Sequence, residues 1–208
     1  MAGSRIAVLG GTFDPPHIGH LVLGECVRWQ FACERVLFVP AGDPYRKTGT
    51  DTAENRRAGV VSARTVTPGV SRLEMVRLAI AGNPHLEADR REVARAGPSY
   101  TVETLRELGA EGHEEIVLVL GSDAVADMQN WREPEEIRRL ARIVVAAKEP
   151  GVGTGGFERV EMPLLRISST ELRARVAAGQ PIRYLVPEAV REYIEREGLY
   201  RGEAPAKP

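Results

Sequence analysis

Long hydrophobic runs are missing from this chain of 208 residues. No apolar stretch approaches the roughly 18 residues that a membrane-spanning helix needs, so no membrane association is expected. Cysteine is scarce: only Cys26 and Cys33 occur. They sit in what reads as one helix, with a rise between them of about 10 Å, beyond the roughly 7 Å limit for bridged Cα atoms. An intramolecular disulfide is therefore not expected. A cysteine metal site is not expected either, because no CxxC spacing or nearby histidine pair accompanies them. An excess of charge is also lacking, since 28 basic residues face 29 acidic ones. Such balance gives no footprint for bulk nucleic acid or an anionic membrane. The runs Arg90-Arg91 and Arg138-Arg139 have acids close by and read as solvated faces. Met1–Gly3 moves straight into an apolar strand, so no secretory signal is read and a cytoplasmic location is the default.

What remains is enough for a folded core, with 43% hydrophobic and 27% charged residues; this composition argues against disorder. Ile6–Leu9 reads as a buried strand running into the tight turn Gly10-Gly11. A helix from Gly19 to about Ala32 and a strand at Arg35–Pro40 complete a βαβ unit, which implies a parallel sheet. Thr48–Pro68 has weak periodicity and reads as a long loop. Further on, helices are expected at Ser71–Ala81, Ser99–Leu108, Ala124–Gln129, Pro134–Leu140, Ser169–Ala178 and Pro187–Glu197, the last closed by Gly198. The helix after Ser99 starts like a capping box, with Ser99, Thr101 or their neighbours as cap and Glu103 in the first turn. Strands are expected at His85–Ala88, Glu115–Leu120, Arg142–Ala147 and Val160–Met162, with a glycine-rich loop at Gly151–Gly156. Strands alternating with helices predict an α/β fold: a single Rossmann-like, doubly wound parallel sheet with C-terminal helices, spanning residues 1–200, and a flexible tail at 201–208.

The segment Gly10–His20, GGTFDPPHIGH, is the most informative. It leaves a strand and opens a helix, where an open α/β sheet places its ligands. The glycines expose backbone N–H groups, and the helix N-terminus adds about half a positive charge. Such a turn favours phosphate. Neither GxGxxG nor GxxxxGK[ST] is present; His17-Ile18-Gly19-His20 stands there instead. As metal ligands the histidines would need a third partner, and no HExxH or similar pattern supplies one. As structural residues they could cap the helix. As donors to phosphate oxygens they suit a transition state in which charge accumulates around phosphorus, and this reading carries the most weight.

GGTFDPPHIGH resembles the signature turn of the HxGH nucleotidyltransferase superfamily. Ile167-Ser168-Ser169-Thr170-Glu171-Leu172-Arg173 resembles that superfamily's ISSTxxR motif. Pro98–Leu105 is similar to the PSYTxxTL segment of the bacterial nicotinate-mononucleotide adenylyltransferase family. Gly121-Ser122-Asp123, Trp131 and the ending from Tyr193 to Tyr200 resemble the same family. Pro44-Tyr45-Arg46-Lys47 departs from its usual PPHK, with arginine in the place of histidine.

This resemblance implies adenylyl transfer from ATP to nicotinate mononucleotide, a step of NAD biosynthesis, with nicotinamide mononucleotide or phosphopantetheine as alternative acceptors. It implies catalytic roles for His17, His20, Thr12 and Arg173. It implies ATP contacts at Gly11, Thr12, Asp123, Ile167, Ser168, Ser169 and Thr170, with Arg173 gripping the leaving pyrophosphate. Lys47, Arg46, Tyr100, Thr101, Trp131 and Arg132 are implied for the mononucleotide. Mg²⁺ is expected to arrive on the ATP phosphates, without a dedicated protein site. No nucleic-acid or membrane partner is expected, and a homo-oligomer is left open. Asp14 reads as a turn residue rather than a catalyst. A nucleotide-binding regulator without turnover is the competing class; the intact His17, His20 and Arg173 argue against it.

Overall fold

The computed structural model of the chain describes residues 5–44, 66–146 and 154–201. Its strands are β1 (Arg5–Gly11), β2 (Arg35–Pro40), β3 (Leu86–Ala88), β4 (Glu115–Gly121), β5 (Arg142–Ala146) and β6 (Glu158–Arg159). Its helices are α1 (Ile18–Gln30), α2 (Gly69–Ile80), α3 (Arg91–Ala94), α4 (Thr101–Ala110), α5 (Ser122–Asp127), α6 (Pro134–Leu140), α7 (Ser169–Ala177) and α8 (Glu188–Arg196), with a 3₁₀ turn at Met128–Asn130.

The strands form one six-stranded sheet in the order β3-β2-β1-β4-β5-β6, and every pairing is parallel. The short apolar strands alternate sides, as the pleat requires. Ala7, Leu9, Phe38, Val117 and Val119 face one layer, with Leu23 and Val27 of α1, Met75 and Val76 of α2, and Val190 and Ile194 of α8. Ile6, Val8, Leu37, Val39 and Leu118 face the other, with Val102, Leu105 and Leu108 of α4 and Ile137 of α6. Both faces of the sheet are covered, which is why the strands read as continuous apolar runs. Phe38 is wholly inaccessible; burying such a side chain contributes roughly 1.5–3 kcal/mol. A Cβ on Gly24 would lie 3.0 Å from the Phe38 ring, so the glycine lets α1 sit close on β2.

The chain leaves β1 toward β2 and β3, then returns with β4 on the other side of β1. This reversal opens a crevice outside the carboxyl ends of β1 and β4. The doubly wound sheet and the C-terminal helices match the expected fold.

Local differences have tertiary causes. The last strand lies at Glu158–Arg159 rather than Val160–Met162. The Val160 N–H still donates to the Val145 carbonyl of β5 at 2.9 Å, and the side chains of Val160 and Met162 pack on the core. Cys33, read as part of the first helix, lies beyond its end and is buried; both cysteines are free thiols. The capping box at Ser99 is not formed. Tyr100 is the N-cap of α4 and makes no side-chain cap bond; the Ser99 hydroxyl instead accepts from the N–H of Gly42 at 2.9 Å. Helix α3 went unread. The segment 48–65, Ala147, residues 151–153 and the tail at 202–208 lie outside the described residues. Among the described residues no helix is long and apolar enough to cross a membrane.

Candidate active site

The turn from β1 to α1 is buried from Thr12 to His17, and five of its backbone oxygens accept hydrogen bonds from within the protein. The Gly11 carbonyl accepts from the N–H of Ala41 at 2.9 Å. That of Thr12 accepts from Arg72 Nη1 at 2.8 Å, that of Asp14 from Arg173 Nη1 at 2.6 Å, and that of Pro15 from Ser169 Oγ at 2.9 Å. The His17 carbonyl accepts from the N–H of His20 at 2.9 Å. Carbonyl oxygens repel an anion, and these five are engaged inside the protein. The first turn of α1 carries no acidic residue, so no charge within that turn offsets the positive end of the helix dipole.

His17 is the N-cap of α1 and His20 lies one turn on, with ring centroids 3.7 Å apart and planes at 26°. The His17 N–H donates to Nδ1 of His20 at 3.1 Å. An Nδ1 that accepts carries no proton, so the neutral His20 ring has its N–H at Nε2. Phe13 meets the His20 ring edge-on at 5.0 Å. A Cβ on Gly19 would lie 3.1 Å from His17 Nδ1, so the residue makes room for the imidazole before it. Gly10 has open space where a Cβ would stand.

The distant ISST segment closes on this turn. Ser168 caps α7 by accepting from the N–H of Glu171 at 3.2 Å. Ser169 and Arg173 hold the carbonyls of Pro15 and Asp14, and Arg173 Nη2 donates to Thr170 Oγ1 at 3.0 Å. Tyr200 donates to Asp14 Oδ1 at 2.6 Å. Burial, then the Asp14 charge, push the Tyr200 phenol far above its ordinary range. The Ile18 N–H donates to the Leu185 carbonyl at 3.0 Å, so the first turn of α1 is also tied to the C-terminal segment.

Between these elements lies a cavity of about 710 Å³, within the size range of small-molecule sites. Gly11, Thr12, His17 and His20 line one side of it, and Ile167 through Thr170, with Arg173, another. The structure thus brings together the two motifs that the sequence separates. The segment from Arg159 to Leu165 also lines the cavity, and the sequence reading passed over it.

The remaining candidates sit elsewhere. Asp123 is exposed in the first turn of α5 and is not part of the cavity wall, although Gly121 is. Tyr100, Thr101, Trp131 and Arg132 form a separate group. Arg132 lies over the Tyr100 ring at 4.7 Å and donates to Glu103 at 3.0 Å. Trp131 packs against the second core layer and its indole N–H donates to Asp127 at 3.3 Å. Arg46 and Lys47 lie outside the described residues.

Arg72 went unread as well. It is buried at 1% exposure, and the signal was its spacing: 72, 75, 76 and 79 share one helical stripe, and the other three are apolar.

A doubly wound sheet with a histidine pair at its first turn defines a nucleotidyltransferase-like architecture, and the chain belongs to the cytidylyltransferase-like family, whose model matches residues 8–175. A probable nicotinate-nucleotide adenylyltransferase of a Roseiflexus species is 44% identical, covering 97% of this chain and all (100%) of that one. One of the same name from Streptomyces coelicolor is 40% identical over 94% of this chain and 100% of its own. Likeness of this extent narrows the family to the nicotinate-nucleotide adenylyltransferases. The fold is shared with a nicotinic acid mononucleotide adenylyltransferase of Plasmodium falciparum, solved in complex with NaAD, at a TM-score of 0.73 and 16% identity, covering 95% of this chain and 97% of that one.

Proposed function

We propose that this chain transfers the adenylyl group of ATP to nicotinate mononucleotide, giving nicotinate adenine dinucleotide and pyrophosphate. A 5′-phosphate oxygen of the mononucleotide attacks the α-phosphorus, a new P–O bond forms, and the bond from the α-phosphorus to the bridging oxygen breaks, so that pyrophosphate leaves. The nucleophile is already anionic, so no general base is required; positioning and charge stabilisation carry the step.

The observation that carries this reading is the first turn itself: buried, with five carbonyls engaged inside the protein, and topped by stacked imidazoles. His20 donates from Nε2 to an α-phosphate oxygen, with His17 and the N–H groups of Gly11 and Thr12 beside it. Thr170 and the N-terminus of α7, with Ser169 and Arg173, receive the β- and γ-phosphates, while the same Arg173 and Ser169 brace the turn. Lys47 and Arg46 hold phosphate from the side of β2, and Asp123 accepts from a ribose hydroxyl. Trp131 stacks on the pyridine ring, and the N–H groups at Tyr100 and Thr101, with Arg132, face its carboxylate. The contact between Arg132 and Tyr100 supports placing that subsite at the start of α4.

Among the described residues no three metal-ligating side chains gather, and the only carboxylates on the cavity wall are Asp14, held by Tyr200, and Glu161. This donor set fits a Mg²⁺ that keeps phosphate and water ligands; when bound, it supplies neutralisation of phosphate charge.

The test is pyrophosphate release from ATP against nicotinate mononucleotide, nicotinamide mononucleotide and phosphopantetheine. Turnover highest with nicotinate mononucleotide is expected. Equal or higher turnover with either other acceptor overturns the assignment of substrate.

A further inference from the structure

Arg72 of α2 is a charged side chain at 1% exposure. Its guanidinium is spent on backbone carbonyls: Nη1 donates to Thr12 at 2.8 Å, Nη2 to Gly42 at 3.1 Å and Nε to Thr67 at 2.7 Å. Those oxygens belong to three separate segments. Thr12 lies in the turn that presents the histidines, Gly42 in the loop after β2, and Thr67 just before α2.

The bonds continue past Gly42. Its N–H donates to Ser99 Oγ at 2.9 Å, and the Ser99 N–H donates to the Asp43 carbonyl at 3.3 Å. The contact is close: a Cβ on Gly42 would stand 1.9 Å from the Glu92 carbonyl oxygen. Glu92, itself buried, accepts from Thr104 Oγ1 of α4 at 2.6 Å. A continuous path therefore runs from the histidine turn, through Arg72 and the β2 loop, to the start of α4. Burial pulls the Arg72 guanidinium below its ordinary range, and the charges of Asp14, Tyr200, Asp43 and Glu92 oppose this. Only a planar fork with donors in several directions reaches all these carbonyls at once; a lysine ammonium does not.

We propose that Arg72 is a positioning residue that fixes the turn bearing His17 and His20 relative to the loop after β2 and the N-terminus of α4, and so sets the distance between the two reacting substrates. The proposal rests on the adenylyl-transfer reading, because those elements carry its ATP and mononucleotide halves. Misplacing two reactants by about 1 Å costs up to about 10²-fold in rate, so the effect falls on kcat.

The experiment compares Arg72→Lys with the unaltered chain at 25 °C, where folding is verified by circular dichroism. Expected are a fall in kcat of about 10-fold or more, a KM for ATP within about threefold, and faster amide exchange at residues 10–20 and 41–44 with residues 116–120 unchanged. An unaltered kcat in the folded variant overturns the proposal, as does faster exchange spread evenly over the sheet. If Arg72→Lys does not fold, Ser99→Ala, which cuts the next link, decides: a lower kcat with faster exchange at 41–44 supports the proposal, and unaltered values overturn it. If the unaltered chain shows no turnover with any acceptor, the functional reading fails, and the exchange measurement alone supports or overturns the positioning role.

Discussion

Tyr200 and Asp14, 186 residues apart, share a 2.6 Å hydrogen bond between phenol and carboxylate. The C-terminal end of the described chain is thereby fastened to the turn that carries the histidines. Removing the phenol oxygen leaves a carboxylate at 1% exposure without that donor. Tyr200→Phe is expected to lower stability by about 1–3 kcal/mol, read from urea unfolding, and to lower turnover as well. Unchanged stability and turnover would sink this role for the pair.

His20 presents its Nε2 proton because its Nδ1 is engaged by the His17 backbone. In the proposed mechanism His20→Ala removes a donor to developing charge. A fall in kcat of about 10²–10³-fold is expected, measured by pyrophosphate release with a thermal unfolding control. A folded His20→Ala chain with normal turnover would contradict the mechanism.

Gly19 tests the packing behind that pair. A methyl group at this position stands 3.1 Å from His17 Nδ1 and pushes the ring off its place. Gly19→Ala should reduce kcat by about 10-fold or more while the thermal midpoint stays within a few degrees, since alanine also favours the helix. Kinetics matching the unaltered chain would show that the ring has room to move.

Gly42→Ala meets backbone rather than a movable side chain, with 1.9 Å to the Glu92 carbonyl oxygen. The β2 loop and α3 must separate to admit it. A loss of about 1–3 kcal/mol is expected, measured by chemical denaturation; an unchanged midpoint would show that the contact is not needed.

Cys33 is buried, and burial pushes its thiol up to about 11. The neutral thiol is thus the form held by the fold. At pH 8 its thiolate is about one part in a thousand, and reactivity rises only as pH climbs toward that value. Iodoacetamide on the folded chain at pH 8 should label Cys26 before Cys33, followed by peptide mass spectrometry. Equal labelling in the folded state would refute this ordering.

Much of this arrangement was legible in the residues. The apolar runs Ile6–Leu9, Arg35–Pro40 and Glu115–Leu120 announced buried parallel strands because both faces of each are covered. Gly10–His20 could be read as a phosphate-accepting turn because strand, glycines, helix start and imidazoles follow one another within a single local structure. Ser99 misled because a cap is a local expectation, and the Gly42 N–H, 57 residues away, took its hydroxyl. Val160 and Met162 put the last strand two residues late, because apolar character marks burial, and the two residues that pair on this edge, Glu158 and Arg159, are charged.

The order of apolar and polar residues along the chain determined, by itself, most of the element sequence and the parallel sheet, since each depends on neighbours a few positions away; the short α3 and the bounds of β6 escaped it. Only the tertiary structure decided that Arg72, Ser169, Arg173 and Tyr200 would all bind that one turn. Their partners are backbone oxygens and a carboxylate brought near by the crossing of the sheet. A carbonyl is the same in every residue, so no pattern in the sequence could say which arginine or hydroxyl would reach it.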